Sequence, residues 1–352
     1  MSSFVVALDV GGTSMKGGLV GRSGEIILTD RRVTPRDKGP AVVVGAIRSF
    51  IDELAVACGG TPAGVGLAVP GLVTADAALY SANIGWRDVP AADFVPLDVP
   101  VMLGHDVRTG GLAESVLGAG RELSDFLFLP IGTGIAGAVI LKGEPYGGTA
   151  GWGGEIGHIP VFPNGETCAC GQIGCLETYA SASAVGRRYS ARIAATPATS
   201  GTPTSLATPA SSAPLVSSAT PASVASSAPL AVPVTAEQVA ALTASGDPVA
   251  REVWDDAVEA LSLALATYTL LLDPSAIVLG GGLAESGRLL SDPLAERLQS
   301  RLTFREAPPL RSAVLGVRAG MLGAALLGWR AAGVPDAGAT WPLDVLKSPR
   351  VA

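Results

Sequence analysis

This chain has little charge for its size. Asp, Glu, Lys and Arg make up 16% of its 352 residues, where about 25% is usual for soluble proteins. The balance is acidic, with 24 basic residues, 31 acidic residues and a formal net charge of −7. Proteins that bind nucleic acids carry a basic surface that neutralises phosphates. We therefore expect no nucleic-acid partner.

The sequence also lacks an apolar run long enough to cross a membrane. Its mean hydropathy is +0.42, but the longest apolar run, residues 260–272, stops at Asp273 and Pro274. A membrane-spanning helix needs about 20 apolar residues. The first residues have neither the basic segment nor the cleavage site of a secretory signal. We expect no membrane association and a cytoplasmic location.

Cysteine and histidine are rare, yet most of them lie close together. Of four cysteines and two histidines in the chain, Cys168, Cys170, Cys175 and His158 share one short segment that is rich in glycine. In a reducing compartment such a cluster favours metal ligation over disulfides. Three thiolates and one imidazole form a complete ligand set for structural Zn²⁺. The alternative is a group of free buried thiols.

The order of apolar segments predicts a mixed α/β protein with two lobes. Residues 4–8 and 126–130 each form an apolar segment that is followed by a Gly-Thr turn and a second apolar segment. This repetition favours an internal duplication with a cleft between the lobes, although two unrelated hairpins are the alternative. We place the first lobe at residues 1–117, completed by a C-terminal helix within 312–330, and the second at 118–311 with a zinc loop at 158–177.

One segment of the second lobe has a different composition. Residues 193–236 contain no charged residue and consist mainly of Ala, Ser, Thr and Pro. Such a segment buries too little apolar surface to offset its ordering entropy, so we predict a disordered insertion. Thr235 and Gln238 have the spacing of a capping box at the start of the next helix. The tail, residues 333–352, is predicted to be weakly structured.

Three glycine-rich turns follow predicted strands, and the first adjoins Asp9. Glycine lets backbone N–H groups approach phosphate oxygens closely, and Asp9 is a candidate ligand for Mg²⁺. The spacing is neither that of a Walker loop nor that of a Rossmann fingerprint. Three such turns favour a nucleotide between the lobes, whereas a plain tight turn is the alternative for the first. The candidate nucleotide-binding residues are Asp9, Gly11, Gly12, Thr13, Lys16, Gly132, Thr133, Gly134, Gly280, Gly281 and Gly282.

Carboxylates and histidines stand at the other candidate positions. Asp106 follows the apolar residues 101–103 and can take the proton of an attacking hydroxyl group in phosphoryl transfer. The alternative is an N-cap for a helix that starts near Thr109. Glu155, His158 and Glu177 flank the predicted metal site and suit the hydroxyl groups of a polyol. Each glutamate alone is equally well interpreted as a solvated surface charge.

Together these motifs resemble those of the ROK family (repressor, open reading frame, kinase) of bacterial sugar kinases and regulators. The resemblance runs from about residue 5 to residue 329 and excludes the insertion. It is carried by the following segments: 9–13, 69–71, 83–86, 105–106, 131–134, 153–158, 168–177 and 280–282. The cysteine segment with its upstream histidine is the most diagnostic of them.

The resemblance implies a duplicated ribonuclease-H-like fold, as in actin-like ATPases, with two lobes and a central cleft. It implies ATP-dependent phosphorylation of the 6-hydroxyl of a hexose with Mg²⁺, structural Zn²⁺ and a homo-oligomer of two or four chains. Asp106 would be the general base, and Asp9 and the Gly-Thr turns would bind Mg²⁺ and phosphates. The residues implied to bind the sugar are Gly71, Asn83, His105, Asp106, Glu155, His158 and Glu177.

Several features depart from the family pattern. His105 stands where the kinases usually have Asn, and the loop at Asn83 lacks the usual Pro before Trp86. Repressor members carry a DNA-binding domain before the first glycine turn, and with Asp9 near the N-terminus we expect none here. We expect a hexose kinase that acts on glucose. The alternatives are a kinase for mannose, fructose or an N-acetylated amino sugar, and a non-catalytic sugar-sensing regulator.

Overall fold

The computed structural model describes residues 3–195 and 234–342. The strands in this part of the chain are β1 (Phe4–Val10), β2 (Ser14–Gly21), β3 (Ile26–Val33), β4 (Val65–Val69), β5 (Leu72–Val73), β6 (Ala77–Tyr80), β7 (Arg87–Pro90), β8 (Val101–His105), β9 (Phe126–Pro130), β10 (Ala138–Leu141), β11 (Glu144–Tyr146), β12 (Ile277–Gly280) and β13 (Leu310–Ser312). The helices are α1 (Pro40–Cys58), α2 (Asp106–Leu117), α3 (Leu176–Ala180), α4 (Ala182–Ala195), α5 (Ala236–Ser245), α6 (Pro248–Leu272), α7 (Gly281–Ala284), α8 (Arg288–Arg301) and α9 (Ala319–Ala331).

The two large sheets have the same design. Their strand orders are β3-β2-β1-β4-β8 and β11-β10-β9-β12-β13. In each sheet the central strand, β1 or β9, pairs antiparallel with the strand that follows it and parallel with a later one. A hairpin and two parallel strands in the same order confirm the predicted internal duplication. A third sheet of β5, β6 and β7 follows β4.

Both predicted hairpins are present, and the chain between them folds as its periodicity indicates. Helix α1 follows Gly39, has Pro40 in its first turn and ends at Gly59 in the left-handed conformation. Its buried residues are Val43, Ile47, Phe50, Ile51, Leu54 and Ala55, an apolar face at helical spacing that packs on the first sheet. This hydrophobic core holds β1 and β2 in place, so that the turn between them is fixed.

The C-terminal helix α9 also packs on the first sheet, where it contacts β1, β4 and β8, and on α2. The approach is close because glycines line it. A Cβ atom at Gly66 would lie 1.8 Å from the carbonyl oxygen of Ala324, and one at Gly323 would lie 2.0 Å from that of Thr109. On these contacts we propose that residues 1–117 and 312–330 form one lobe and residues 118–311 the other.

The second core lies around the longest described helix, α6, which has 25 residues. Helices α3, α4, α5 and α8 pack against α6. Its apolar face is therefore used within the protein. No helix among the described residues combines the length and the apolar composition that a membrane crossing requires.

The predicted boundaries of the insertion need correction. Residues 193–195 complete helix α4, because Ile-Ala-Ala continues a helix readily. At the other end, Thr235 caps α5, and the capping box with Gln238 is present as predicted. The remainder of the predicted insertion, residues 196–233, lies outside the described residues.

The first part of the predicted weakly structured tail is held to the protein at one point. Residues 333–342 contain turns and no helix or strand, yet the side chain of Trp341 is 1% exposed. Its ring lies against Gly24, and its Nε1 donates to the carbonyl oxygen of Arg22 at 2.9 Å. A single buried indole anchors this segment, and periodicity cannot reveal such an anchor. The rest of the tail, 343–352, lies outside the described residues.

The close approach of α9 to β4 can be tested at Gly66. We expect Gly66→Ala to lower the free energy of unfolding by about 3 kcal/mol, because the new methyl group must displace the backbone at Ala324. Gly45→Ala is the matched control, since Gly45 lies in α1 with no atom near the added Cβ, and it should stabilise by about 1 kcal/mol. Urea denaturation measures both; equal stability of the two variants would contradict the packing described here.

Candidate active site

A cavity of about 580 Å³ is lined by residues from both halves of the chain. It brings together six of the predicted site residues: Asp9, Lys16, Asp106, Gly280, Gly281 and Gly282. The carboxylates and the lysine come from the first half, whereas the glycine turn comes from the second. Residues at the ends of β1 and β8 thus face the end of β12 across one cavity, which is where a duplicated α/β fold places its ligand.

Asp9 is the first carboxylate in this cavity. It pairs in register with Lys16 on the neighbouring strand, and their charged groups lie 3.6 Å apart. Burial raises the pKa of Asp9 to about 6, and Lys16 opposes that effect. The Nζ of Lys16 also donates to the carbonyl oxygen of Val317 at 3.2 Å. Gly320 leaves room for the carboxylate, since a Cβ there would lie 2.5 Å from its carbon.

The first glycine turn joins Asp9 to the strand of Lys16. Thr34, which directly follows β3, holds this turn with two hydrogen bonds. Its hydroxyl donates to the carbonyl oxygen of Gly11 at 2.6 Å, and its N–H donates to the carbonyl oxygen of Thr13 at 3.1 Å. Gly12 and Thr13 are at least partly exposed. The turn is therefore held rigidly while its tip stays accessible to a ligand.

Asp106 is the first residue of α2, so the predicted helix start near Thr109 is corrected. His105, not Asp106, is the N-cap, because its backbone is extended and its Nδ1 accepts the N–H of Arg108 at 3.4 Å. Asp106 accepts the N–H of Val107 at 2.8 Å. Burial raises the pKa of Asp106 to about 6, although this hydrogen bond and the charge of Arg108 act in the opposite direction.

His105 is a neutral imidazole in this site. Burial lowers its pKa to about 4, the charge of Arg108 adds to the effect, and Glu155 opposes it. Because Nδ1 accepts the N–H of Arg108, this hydrogen-bond pattern assigns the ring proton to Nε2. The 3.3 Å contact between His105 and Asp106 is consequently no ion pair at neutral pH. His105 offers a hydrogen-bond donor at Nε2.

Arg108 belongs to this cluster, and the sequence analysis missed it. One of its guanidinium nitrogens donates to the carbonyl oxygens of Gly151 and Gly153 at 2.8 and 3.3 Å. Glu155 follows these glycines and acts electrostatically on both Arg108 and His105. The sequence did contain a signal for Arg108. A cation in the first turn of a helix is unfavourable because of the helix dipole, so its side chain is expected to have a compensating partner.

Glu177 holds the second glycine turn. The N–H of Ile135 donates to its Oε2 at 2.7 Å, and within the turn the N–H of Gly132 donates to the carbonyl oxygen of Gly134 at 3.0 Å. The carbonyl oxygen of Ile131 accepts the N–H of Leu283 at 3.1 Å. The N–H of Ile131 in turn donates to the carbonyl oxygen of Gly280 at 2.8 Å, so the residue that precedes the second glycine turn contacts the third, 280–282. The sugar-binding role of Glu177 stays a prediction.

The cysteine cluster has the geometry of a tetrahedral metal site. The ligand atoms of His158, Cys168, Cys170 and Cys175 all lie within 4.8 Å of one another. The Sγ atom of Cys168 lies 3.8 Å from Nδ1 of His158, and the sulfur atoms of Cys170 and Cys175 are also 3.8 Å apart. Zn–S bonds of about 2.3 Å in a tetrahedron separate two sulfur atoms by about 3.8 Å. The residues therefore fit Zn²⁺.

Of the predicted sugar-binding residues, Asp106 lines the cavity, whereas the other six do not: Gly71, Asn83, His105, Glu155, His158 and Glu177. Gly71 makes the turn after β4 with φ of +100°, and a Cβ there would lie 2.1 Å from the carbonyl oxygen of Tyr80. The positive φ and the close backbone of Tyr80 explain why this position requires glycine. Asn83 is exposed in the turn between β6 and β7, and its role as a sugar ligand stays a prediction.

The sequence analysis also missed one wall of the cavity. This wall is the segment from β13 to the start of α9, and its lining residues are Ser312, Ala313, Gly316, Val317, Ala319 and Gly320. The fully buried carboxylate of Glu114 in α2 accepts the N–H groups of Val314 and Leu315. No motif marks this segment, because its position depends on contacts across about 200 residues of sequence.

The raised pKa of Asp106 predicts a cost in stability. The folded protein is penalised only when this carboxyl group is ionised, so the penalty is absent below about pH 4 and complete above about pH 6. We expect Asp106→Asn to melt at a higher temperature than the wild type at neutral pH, and at the same temperature near pH 4. Thermal denaturation at both pH values measures this.

Glu53→Gln is the control of opposite sign, since Arg32 lowers the pKa of the exposed Glu53. This variant should melt at the same temperature as the wild type or slightly lower at neutral pH. An Asp106→Asn protein that melts below the wild type at neutral pH would show that burial of this charge is not costly.

Comparisons with known proteins agree with the fold and with the motifs. The profile of the ROK family matches residues 5–330. A glucokinase from Halalkalibacterium halodurans is 31% identical over 334 residues, which cover 92% of this chain and 93% of that protein.

Two solved structures are similar over nearly their whole length. A ROK hexokinase from Thermus thermophilus has a TM-score of 0.72 and 29% identity, and the match covers 93% of this chain and 98% of that one. A ROK family glucokinase from Streptomyces griseus, in complex with glucose and AMPPNP, has a TM-score of 0.72 and 27% identity, with 93% and 100% covered. The ribonuclease-H-like fold is thereby confirmed, and the chain belongs to the ROK family.

Proposed function

We propose that this protein is an ATP-dependent hexose kinase that phosphorylates the 6-hydroxyl of glucose. The observation that carries the proposal is the shared cavity of Asp106, Asp9, Lys16 and the third glycine turn. A base for a hydroxyl group and a cradle for phosphates thus face the same space. The glucokinase from Halalkalibacterium halodurans and the complex of the Streptomyces griseus enzyme with glucose and AMPPNP support the choice of sugar and donor.

Asp106 is the proposed general base. Its pKa of about 6 leaves it ionised at neutral pH, and a base that titrates close to the working pH transfers protons efficiently. It would accept the proton of the 6-hydroxyl as that oxygen attacks the terminal phosphorus of ATP. The bond from this phosphorus to the bridging oxygen breaks, and ADP leaves with its electron pair.

The other cavity residues bind the donor. The third glycine turn presents backbone N–H groups to the cavity, and Lys16 supplies a positive charge for phosphate oxygens. Asp9, with a carboxylate aimed into the cavity, is the proposed ligand for Mg²⁺. When bound, Mg²⁺ neutralises phosphate charge. The turn at 280–282 leads directly into α7, which has only four residues, and we place the nucleoside beside it.

The sugar is proposed to lie next to Asp106, on the side of His105 and Glu155, which do not themselves line the cavity. His105 offers a donor at Nε2, and Glu155 offers acceptors for hydroxyl groups. An imidazole extends farther than the amide usual in the family, so we expect less room for the sugar beside His105. Glucose carries no bulky substituent at C2, and we therefore prefer it to an N-acetylated amino sugar.

The first experiment is a coupled assay of ADP release with ATP and Mg²⁺ over a panel of hexoses. We expect turnover with glucose, and a lower kcat/KM with mannose, fructose, N-acetylglucosamine and N-acetylmannosamine. The kcat/KM should fall about tenfold per pH unit below about pH 6, because a protonated Asp106 cannot accept a proton.

The matched variant is Asp106→Asn, which keeps the size of the side chain. It should lose at least about 10³-fold in kcat while glucose binding, measured by calorimetry, is retained. Turnover that survives this change would remove Asp106 as the base. A folded wild type that binds glucose without turnover would instead favour the sugar-sensing regulator.

A second test concerns the metal. We propose that His158, Cys168, Cys170 and Cys175 hold one structural Zn²⁺, and we expect metal analysis to find about one zinc per chain. Cys175→Ser should lose the zinc and melt at a lower temperature. Cys58→Ser is the matched control, because Cys58 lies at the end of α1 and is no part of the cluster. Zinc that stays bound to Cys175→Ser at full occupancy would contradict this ligand set.

A further inference from the structure

We propose that Arg108 is a positioning residue that clamps the loop of residues 147–153 onto the start of α2 and fixes a positive charge beside Asp106. The proposal rests on the proposed kinase function for its kinetic consequences. It adds a residue that the motifs of the sequence did not indicate.

The first observation is the geometry of the clamp. Arg108 lies in the first turn of α2, in the first half of the chain, and the loop 147–153 belongs to the second half. The guanidinium group donates to Gly151 at 2.8 Å and to Gly153 at 3.3 Å. A Cβ atom at Gly147 would lie 3.5 Å from the same nitrogen. The clamp therefore crosses between the halves directly beside the cavity.

The second observation is the composition of the loop. Within residues 147–153, Gly148 and Gly151 have φ of +72° and +79°, and Gly154 follows with φ of +98°. Glycines in such conformations gain much entropy when released. Within the loop, the N–H of Gly153 donates to the carbonyl oxygen of Gly147 at 2.7 Å. Two hydrogen bonds from one charged group are thus a large part of what orders this segment.

The loop leads to Glu155, and Glu155 acts electrostatically on Arg108 and His105. A loop that is held in place also keeps this carboxylate close to His105. Release of the loop would let Glu155 move away from His105. The expected consequence is weaker sugar binding with little change in ATP binding, since Arg108 donates to the loop that leads to Glu155.

The third observation is the set of charges around Asp106. The charged and titratable groups that act on it or lie against it are Arg108 on α2, His105 at the end of β8 and Asp9 on β1. Lys16 on β2 lies against Asp9. His105 is neutral, Lys16 pairs with Asp9, and Asp9 is itself an acid. Arg108 is the cation that directly favours the ionised form of Asp106.

The test uses Arg108→Met, which removes the charge and keeps an unbranched side chain. We expect faster amide hydrogen exchange in residues 147–153 than in the wild type. We also expect the acidic limb of the kcat/KM profile to move to higher pH, on the order of one unit, because the pKa of Asp106 rises when the cation is lost. The KM for the sugar should rise severalfold more than the KM for ATP.

Arg108→Lys is the conservative variant and should restore most of the acidic limb, since it keeps the positive charge. Arg121→Met is the matched control: Arg121 follows α2 and donates to Ala339, far along the chain from the loop. A general loss of stability would affect both methionine variants, whereas only Arg108→Met should change the pH profile and the exchange of the loop.

The exchange measurement needs no catalytic activity, so the two proposals fail separately. Unchanged exchange of residues 147–153 in Arg108→Met overturns the clamp, whatever the kinetics. An acidic limb that stays in place in this variant overturns the electrostatic role. A wild type that turns over none of the hexoses defeats the proposed function, and the exchange result then still decides whether the clamp exists.

Discussion

The site depends on two carboxylates that share one cavity. Asp9 and Asp106 both have a pKa raised to about 6 by burial, and the charge of Asp106 contributes to the shift of Asp9. Two negative charges in a partly buried space repel each other, so each carboxylate needs a nearby positive charge or hydrogen-bond donor. Asp9 has Lys16, and Asp106 has the first N–H groups of α2 and Arg108. Burial nevertheless keeps the pKa of both carboxyl groups above the usual value, so the site suits a ligand that brings a further positive charge.

Much of this arrangement follows from patterns within short segments. Both hairpins and the C-terminal helix α9 lie close to where the order of apolar segments predicts them. The capping box at Thr235 and the ligand cluster at the cysteines were recognised because each is encoded within a few residues. The duplication was visible for the same reason, since it repeats one short pattern. A feature that is encoded within a few neighbouring residues can be recognised from the sequence alone.

The rest could not be predicted, because it depends on contacts between distant segments. The start of α2 was misplaced since the N-cap is an imidazole, which is an uncommon cap. Helix α8 was missed although Leu290, Leu294 and Leu298 form a buried face, because Pro293 lies inside the helix and suggests a break. The cavity wall after β13 is held by Glu114, whose partners are distant in sequence. The guanidinium group of Arg108 donates to carbonyl oxygens in the second half of the chain, and the sequence around Arg108 does not reveal these partners.

The packing of α9 and Trp341 on the first sheet bears on the order in which the protein is made. The core on that face of the sheet joins Val5 and Val20 from the first strands with helix α9 and the indole of Trp341. A ribosome releases α9 and Trp341 only after the whole second half of the fold. During synthesis one face of the first sheet therefore stays uncovered, while the second half can already form its own core around α6. Until α9 emerges, the uncovered apolar face of the first sheet would need protection from aggregation in the cell.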